Sequence, residues 1–138
     1  MTWAAPYVGL PFKDGGRTAA GLDCWGLVRL VYSEQLGLDL PDFAEIKAGD
    51  TRRVSRAIAD AIDTDEWIPV IRGAEQPFDV VVMRGNEGRS SMSRHVGVVA
   101  PNGRLLHIEE HVDAVLPLMT SPTVSFRISG IYRHHALA

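Results

Sequence analysis

The hydrophobic pattern of this chain changes period near Trp67, and that change constrains the fold more than any other feature. Before it, apolar residues recur at helical spacing in two segments; after it, they form short β-branched runs at 78–84, 95–100, 104–110 and 124–133. Helices followed by a series of strands are typical of α+β domains. At 138 residues the chain can bury its own core, and we expect one domain over residues 1–138.

The first predicted helix begins at Asp23 and ends before Gly37, a natural residue for a helix C-terminus. The preceding segment, 7–21, is rich in turn-forming residues and predicts a loop. A second helix is predicted over Thr51–Ile62, capped by Asp50 or Thr51. It carries no evident chemistry. Its apolar stripe consists of Val54, Ala57, Ile58, Ala61 and Ile62.

Charge and hydropathy exclude several partners. The 14 basic and 17 acidic residues are well mixed and give a net charge of −3, so no basic surface for nucleic acid or anionic lipid is expected. The sequence has no run of apolar residues long enough for a transmembrane helix. The first residues lack the basic and apolar regions of a secretory signal, so we expect no signal peptide.

Cys24 is the only cysteine, which excludes an internal disulfide. It follows the turn-rich loop and falls in the first turn of the first predicted helix. The N–H groups and partial positive charge at a helix start stabilise a thiolate, and a nearby imidazolium stabilises it further. This position favours a nucleophile over a small core residue. A zinc site made from Cys24, His95 and His107 is disfavoured, because it would need a further ligand or water.

Residues 101–103, Pro-Asn-Gly, lie between two strand-like runs and predict a three-residue hairpin loop, with a type I turn followed by a left-handed glycine. If residues 100 and 104 close this loop, His107 lies opposite Gly97 and Glu109 lies opposite His95. The two histidines then share one face of the sheet, and the glycine leaves room for the His107 ring. A two-residue loop would instead turn His107 away from His95.

A three-residue loop therefore places one candidate base and two candidate orienting residues on the same face of the hairpin. His95 is the predicted general base, and His107, a diagonal neighbour at roughly 7–8 Å between α-carbons, can orient its ring as a triad requires. Glu109 is the alternative orienting residue, because a carboxylate holds an imidazolium more strongly than a neutral ring does. The sequence leaves both open.

Three blocks of the chain resemble the NlpC-like cell-wall cysteine peptidases, a papain-like family that cleaves peptidoglycan stem peptides. Residues 9–28, which run from Gly-Leu-Pro-Phe to Asp-Cys-Trp-Gly-Leu-Val, resemble the nucleophile block. Residues 95–99, His-Val-Gly-Val-Val, resemble the histidine strand, and residues 106–107, Leu-His, resemble the third catalytic position. The Asp-Cys-Trp-Gly-Leu form, with Leu-Pro at 40–41 and Ile-Tyr-Arg at 131–133, is similar to the phage-tail or gene-transfer-particle branch.

The resemblance implies a papain-like α+β fold, in which an N-terminal Cys-bearing helix packs on an antiparallel β-sheet. It implies a cysteine peptidase that uses no cofactor and no metal. Cys24 is then the nucleophile, His95 the general base and His107 the orienting residue, and the backbone N–H of Cys24 helps to bind the oxyanion.

We place Asp23, Phe12 and Glu109 on the substrate or oxyanion side of the site. Phe12 departs from the tyrosine that many family members carry, and it cannot donate a hydrogen bond. Tyr7 or another donor would have to substitute for the missing hydroxyl.

The implied substrate is bacterial peptidoglycan, cut between D-glutamate and a diamino acid. Because no signal peptide is expected, we expect the protein to be made in the bacterial cytoplasm and delivered in a virion or tail-like particle, with tail hub or baseplate proteins as partners. One alternative is a weakly active or inactive structural tail protein, which Phe12 favours. Another is a related amidase or acyltransferase, because a fold does not fix a function.

Overall fold

The computed structural model of the chain describes residues 2–44, 46, 47, 50–85 and 92–138. Its helices are α1 (Cys24–Val31), α2 (Thr51–Ile62) and the short α3 (Pro122–Ser125). Its strands are β1 (Arg17–Thr18), β2 (Gly21–Leu22), β3 (Trp67–Pro69), β4 (Val80–Arg84), β5 (Ser93–Ala100), β6 (Arg104–Glu109), β7 (Val112–Val115) and β8 (Ile128–His134). A π-helical segment, Tyr32–Leu36, continues α1, and 3₁₀ turns cover Ala5–Tyr7 and His135–Leu137.

Six of the strands form one antiparallel sheet in the order β3-β8-β4-β5-β6-β7, and β1 pairs with β2 separately. The buried face of α1 packs on one side of this sheet. The main core there includes Leu27, Val28, Val31, Val80, Val82, Val96, Val98 and Leu106. The predicted α+β class, with a Cys-bearing helix on an antiparallel sheet, is confirmed. In the described part of the chain, no helix is both long and apolar enough to cross a bilayer.

Side-chain caps fix the starts of both longer helices. The Asp23 carboxylate accepts a hydrogen bond from the Gly26 N–H at 2.7 Å, and the Asp50 carboxylate accepts one from the Arg53 N–H at 3.3 Å. The π-helical continuation of α1 ends at Gly37, whose φ of 65° is the left-handed conformation that glycine adopts without a Cβ clash. Both predicted helices are confirmed, and Asp50 is the cap of the second.

The hairpin between β5 and β6 has the predicted register. Val98 pairs with Leu106 and Ala100 pairs with Arg104, so three residues form the loop. The predicted turn type is wrong, because Asn102 has a φ of 65° where a type I turn needs about −90°. Asn102 and Gly103 are both left-handed, a conformation that these two residue types tolerate best.

The last predicted strand, 124–133, begins too early. Pro122 starts the short helix α3, which buries Val124, and the strand begins only at Ile128. The short strands β3 and β7 lie at the two edges of the sheet and were not predicted. The sequence of residues 85–93, Gly-Asn-Glu-Gly-Arg-Ser-Ser-Met-Ser, is polar and glycine-rich and predicts an exposed loop, but residues 86–91 lie outside the described residues.

Candidate active site

The thiol of Cys24 lies at the junction of α1 and β5. Cys24 is the first residue of α1, and its sulfur accepts hydrogen bonds from the backbone N–H groups of Val96 and Trp25. Val96 directly follows His95 in β5. The thiol therefore sits both at a helix start, as predicted, and beside the strand that bears the predicted base.

The two histidines form a direct hydrogen bond. Nε2 of His95 lies 2.8 Å from Nδ1 of His107, and each residue is only 5% exposed. Gly97 makes this approach possible, since a Cβ built at this position would lie 3.0 Å from the Cβ of His107. The three-residue loop thus has the predicted consequence, a histidine pair on one face of the hairpin.

Glu109 lies beside the histidine pair, with a carboxylate oxygen within 4.8 Å of a ring nitrogen of each histidine. Its Oε1 is 3.8 Å from Nδ1 of His107, too far for a hydrogen bond. Both carboxylate oxygens instead accept hydrogen bonds from Arg127, at 2.9 and 2.7 Å. Of the two candidates for orienting His95, the structure brings His107 into contact with it. Arg127 is a part of this cluster that the sequence analysis missed.

Burial sets the protonation states of the site. It raises the pKa of the Cys24 thiol to about 12, and the nearby Asp23 carboxylate adds to the rise. Burial lowers the pKa of His95 to about 3 and that of His107 to about 4. At neutral pH the resting site therefore holds a neutral thiol and neutral imidazoles. These directions favour neutral groups over a preformed thiolate–imidazolium pair in the resting site.

Glu109 remains charged in this buried cluster. Burial is the largest single influence and would raise its pKa, but the hydrogen bonds from Arg127 and the nearby charges of His95, Arg127 and His107 together lower the pKa to about 2. Its negative charge raises the pKa of both histidines, whereas the positive charge of Arg127 lowers it. Glu109 and Arg127 therefore shift the pKa of His95, the predicted base, in opposite directions.

Asp23 anchors the start of α1. Besides capping Gly26, its carboxylate accepts hydrogen bonds from the Gly15 N–H at 3.2 Å and from Nη1 of Arg17 at 2.7 Å. The residue is 5% exposed and also contributes to the wall of a cavity at Cys24. Its observed contacts hold the glycine-rich loop against the helix start.

Neither Phe12 nor Tyr7 supplies an oxyanion donor. Phe12 packs against the apolar core and forms a β-bridge with Leu22. The Tyr7 hydroxyl donates to Glu34 at 2.7 Å and accepts from Gln35 at 3.1 Å, in the segment that follows α1. That segment is at the opposite end of the helix from Cys24. Tyr7 is therefore committed elsewhere and does not replace the hydroxyl that Phe12 lacks.

An apolar cavity of about 100 Å³ adjoins Cys24, between α2 and the sheet. The whole apolar stripe predicted for α2 contributes to its wall, together with Trp67. The expectation that α2 carries no chemistry is thus incomplete, because the stripe faces the candidate nucleophile. The only signal in the sequence was the pair of small residues, Ala57 and Ala61, at the centre of the stripe.

One group of possible metal ligands occurs among the described residues. The ligand atoms of His95, His107 and Glu109 all lie within 4.8 Å of one another. The two rings already share a hydrogen bond, and both Glu109 oxygens are bound to Arg127. A metal ion at this place would have to displace these bonds.

A sequence model of the NlpC/P60 family matches residues 9–126 of the chain. This interval contains Cys24, His95, His107 and the Glu109 carboxylate that approaches them.

Curated relatives include wall hydrolases. The chain is 26% identical over 122 residues to murein DD-endopeptidase MepS/murein LD-carboxypeptidase of Escherichia coli K12, a match that covers 88% of this chain and 54% of that protein. It is 28% identical over 134 residues to gamma-DL-glutamyl hydrolase of Bacillus subtilis 168, covering 94% of this chain and 27% of that protein. The chain thus spans about half or less of the length of these relatives.

Solved structures share the fold. The NlpC/p60 domain of the peptidoglycan hydrolase SagA superposes with a TM-score of 0.59 at 19% identity, covering 94% of this chain and 92% of that one. A lipoprotein-like NLP/P60 protein of Staphylococcus aureus Mu50 superposes with a TM-score of 0.65 at 20% identity, covering 95% of this chain and 38% of that one. At these identities the likeness is one of fold.

Proposed function

This chain belongs to the NlpC/P60 family, and we propose that it is a cysteine peptidase that hydrolyses peptide bonds in bacterial peptidoglycan. The observation that carries the proposal is the position of the Cys24 thiol, at a helix start and beside the strand whose His95 is hydrogen-bonded to His107. The names of the murein endopeptidase and glutamyl hydrolase relatives support the reaction and the substrate.

His95 acts as general base in the proposed reaction. When Nε2 of His95 donates to Nδ1 of His107, the other ring nitrogen of His95 is free of its proton and can accept the one on the Cys24 thiol. Because the resting thiol and imidazole are both neutral, this transfer accompanies attack. The sulfur forms a bond to the carbonyl carbon, and the C–N bond breaks as His95 protonates the leaving amine. Water then hydrolyses the thioester.

The backbone at the start of α1 is the proposed oxyanion donor. The first N–H groups of a helix have no intrahelical acceptor, and Cys24 occupies the first position of α1. An oxyanion formed at the attacked carbon would lie within reach of the Cys24 N–H. Phe12 contributes no donor, so this site depends on backbone groups.

We further propose that the bond cleaved joins D-glutamate to a diamino acid. The sequence resemblance and the glutamyl hydrolase relative support this choice.

Digestion of purified wall fragments tests the activity and the bond together. The wild-type chain, Cys24→Ala and the matched control His111→Ala, which changes an exposed histidine, are incubated with fragments of known composition. Mass analysis should reveal new amino termini on the diamino acid with wild type and His111→Ala only. Identical fragment patterns from wild type and Cys24→Ala would refute the peptidase, and would favour the inactive structural protein instead.

Delivery by a phage tail or tail-like particle is a separate proposal, supported by the resemblance of residues 23–27, 40–41 and 131–133 to that branch. All three segments also have structural contacts: the Pro41 carbonyl accepts a hydrogen bond from the Trp25 indole, and Arg133 pairs with Asp79. The test is fractionation of a producing culture on a density gradient, followed by immunoblotting. We expect the protein in particle fractions beside hub or baseplate proteins; its confinement to the free soluble fraction would overturn this proposal.

A further inference from the structure

Three successive backbone carbonyls, those of residues 40–42, accept hydrogen bonds from side chains near the candidate nucleophile. The first accepts from Nε of Arg29 at 2.8 Å and the second from the Trp25 indole at 2.6 Å. The third, the carbonyl of Asp42, accepts two, from Nε and Nη2 of Arg17 at 3.0 and 2.8 Å. The loop is therefore held by α1 through its first two carbonyls and by β1 through its third.

The guanidinium of Arg17 joins this loop to the start of α1. Besides the carbonyl, the Asp42 carboxylate accepts from Nε at 3.0 Å. On the other side, Nη1 donates to the Gly16 carbonyl and to the Asp23 carboxylate, each at 2.7 Å. Arg17 thus donates five hydrogen bonds, and its side chain is only 12% exposed. The planar fork of a guanidinium suits such a set of acceptors, whereas an ammonium does not.

The absence of a side chain at position 26 allows this arrangement. A Cβ built at Gly26 would overlap the Gly16 carbonyl oxygen and lie 3.1 Å from Nη1 of Arg17. It would also lie 3.2 Å from Oδ1 of Asp23. The first turn of α1 therefore packs directly against the guanidinium and two of its acceptors.

We propose that Arg17 is a positioning residue for the reaction: it offsets the charge of Asp23 beside the thiol and fixes the 40–42 loop against the start of α1. The inference rests on the proposed function, because it takes Cys24 as the nucleophile. It adds a residue outside the Cys-His-His line on which the nucleophile depends.

The charge of Asp23 opposes the thiolate that must form during attack. Asp23 caps α1 and directly precedes Cys24, and its negative charge raises the pKa of the thiol, as does that of Glu109. The ion pair with Arg17 offsets the Asp23 charge while the carboxylate keeps its capping bond. Arg127 pairs with Glu109 in the same way. Each carboxylate that raises the pKa of this thiol therefore has an arginine partner.

The loop that Arg17 fixes leads into the surface beside the thiol. Phe43 follows Asp42 and lines the cavity at Cys24. Together with Pro41, it also lines an adjoining pocket of about 480 Å³. A shift of this loop would therefore change the surface against which a substrate is aligned, and small misplacements of a substrate lower reaction rates strongly.

Alkylation of Cys24 by iodoacetamide measures the effect on the thiol without turnover. Arg17→Met leaves the Asp23 charge without its partner, so we expect the rate at pH 8 to fall about three- to tenfold. Arg17→Lys keeps a positive charge and should stay within about twofold of wild type. The matched control Arg104→Met changes an exposed arginine that donates to the Leu116 carbonyl, and it should react as wild type does.

A double variant distinguishes a charge effect from a loss of structure. Asp23→Asn keeps a capping oxygen and removes the charge that Arg17 offsets. Arg17→Met combined with Asp23→Asn should therefore return the alkylation rate to within about twofold of wild type. A double variant that reacts as slowly as Arg17→Met, or more slowly, would overturn the charge effect.

Kinetics of wall-fragment digestion measure the effect on the loop. Lysine cannot make the five hydrogen bonds of the guanidinium, so Arg17→Lys should raise KM about tenfold while kcat stays within about twofold of wild type. Arg17→Met should raise KM and also lower kcat, because it loses the charge as well. Unchanged kinetics in both variants of an active enzyme would remove this inference alone, whereas no Cys24-dependent digestion by wild type would remove the proposed function.

Discussion

The charges of Glu109 and Arg127 should shift the pKa of His95 in opposite directions when each is removed. Glu109→Gln deletes a negative charge that favours the imidazolium, so we expect the pKa of His95 to fall. Arg127→Met deletes a positive charge that opposes the imidazolium, so the pKa should rise. Destabilisation of the fold would not produce shifts of opposite sign.

Distances in the cluster give the size of the effect. A carboxylate oxygen of Glu109 lies within 4.8 Å of a ring nitrogen of His95. At an effective dielectric constant of about 20, unit charges at that separation interact by roughly 3.5 kcal/mol, or about 2.5 pKa units. Arg127 cancels part of this field. We expect a fall of about 1 unit for Glu109→Gln and a smaller rise for Arg127→Met.

Ring titration by ¹H–¹⁵N NMR measures these shifts without requiring turnover. The exposed neighbour Glu110 provides a matched control, and Glu110→Gln should leave the His95 titration within about 0.2 units of wild type. An unchanged pKa in Glu109→Gln, or shifts of the same sign in both variants, would refute the electrostatic role of this ion pair.

Three further predictions concern the supports of the site. His107→Ala should lower kcat about 10- to 100-fold with little change in KM, and His107→Asn should recover part of that loss. The exposed control, His111→Ala, should match wild type in wall digestion. Asp23→Asn keeps a capping oxygen but removes a charge that raises the pKa of the Cys24 thiol. Alkylation of Cys24 by iodoacetamide at pH 8 should therefore be faster in this variant than in wild type, and an equal or slower rate would contradict this. Arg133→Met removes the two hydrogen bonds that Arg133 donates to the fully buried Asp79 and leaves it only the one from the Gln76 N–H. It should lower the free energy of unfolding by about 3 kcal/mol in urea titration, more than an exposed Arg→Met change does.

The hairpin shows how far a sequence pattern can determine a site. Strand side chains alternate between faces, so the number of loop residues alone decided that His95 and His107 share a face. The turn type was a separate matter, because an asparagine tolerates either sign of φ, and Asn102 adopts the left-handed one. Loop length was therefore predictable where backbone conformation was not.

Arg127 and the cavity under α2 show what the pattern could not determine. Arg127 lies 18 residues from Glu109 and in a segment predicted as strand, and only the helical turn of α3 before it directs its side chain to that carboxylate. The cavity is space between elements that are distant in sequence. Neither feature has a periodicity or a spacing that a single sequence displays.

Burial of the site in the folded protein sets its protonation states. Those states determine which role its charged groups can have. A helix start and a histidine in sequence predicted a stabilised thiolate, but removal of both groups from water favours the neutral forms. In the proposed reaction, charge then develops during attack, as Cys24 loses its proton to His95. Glu109 is the carboxylate whose oxygen lies within 3.8 Å of the histidine pair, and Arg127 holds it there while its pKa stays at about 2. The ion pair therefore keeps a fixed negative charge ready for the imidazolium that exists only once the substrate is attacked.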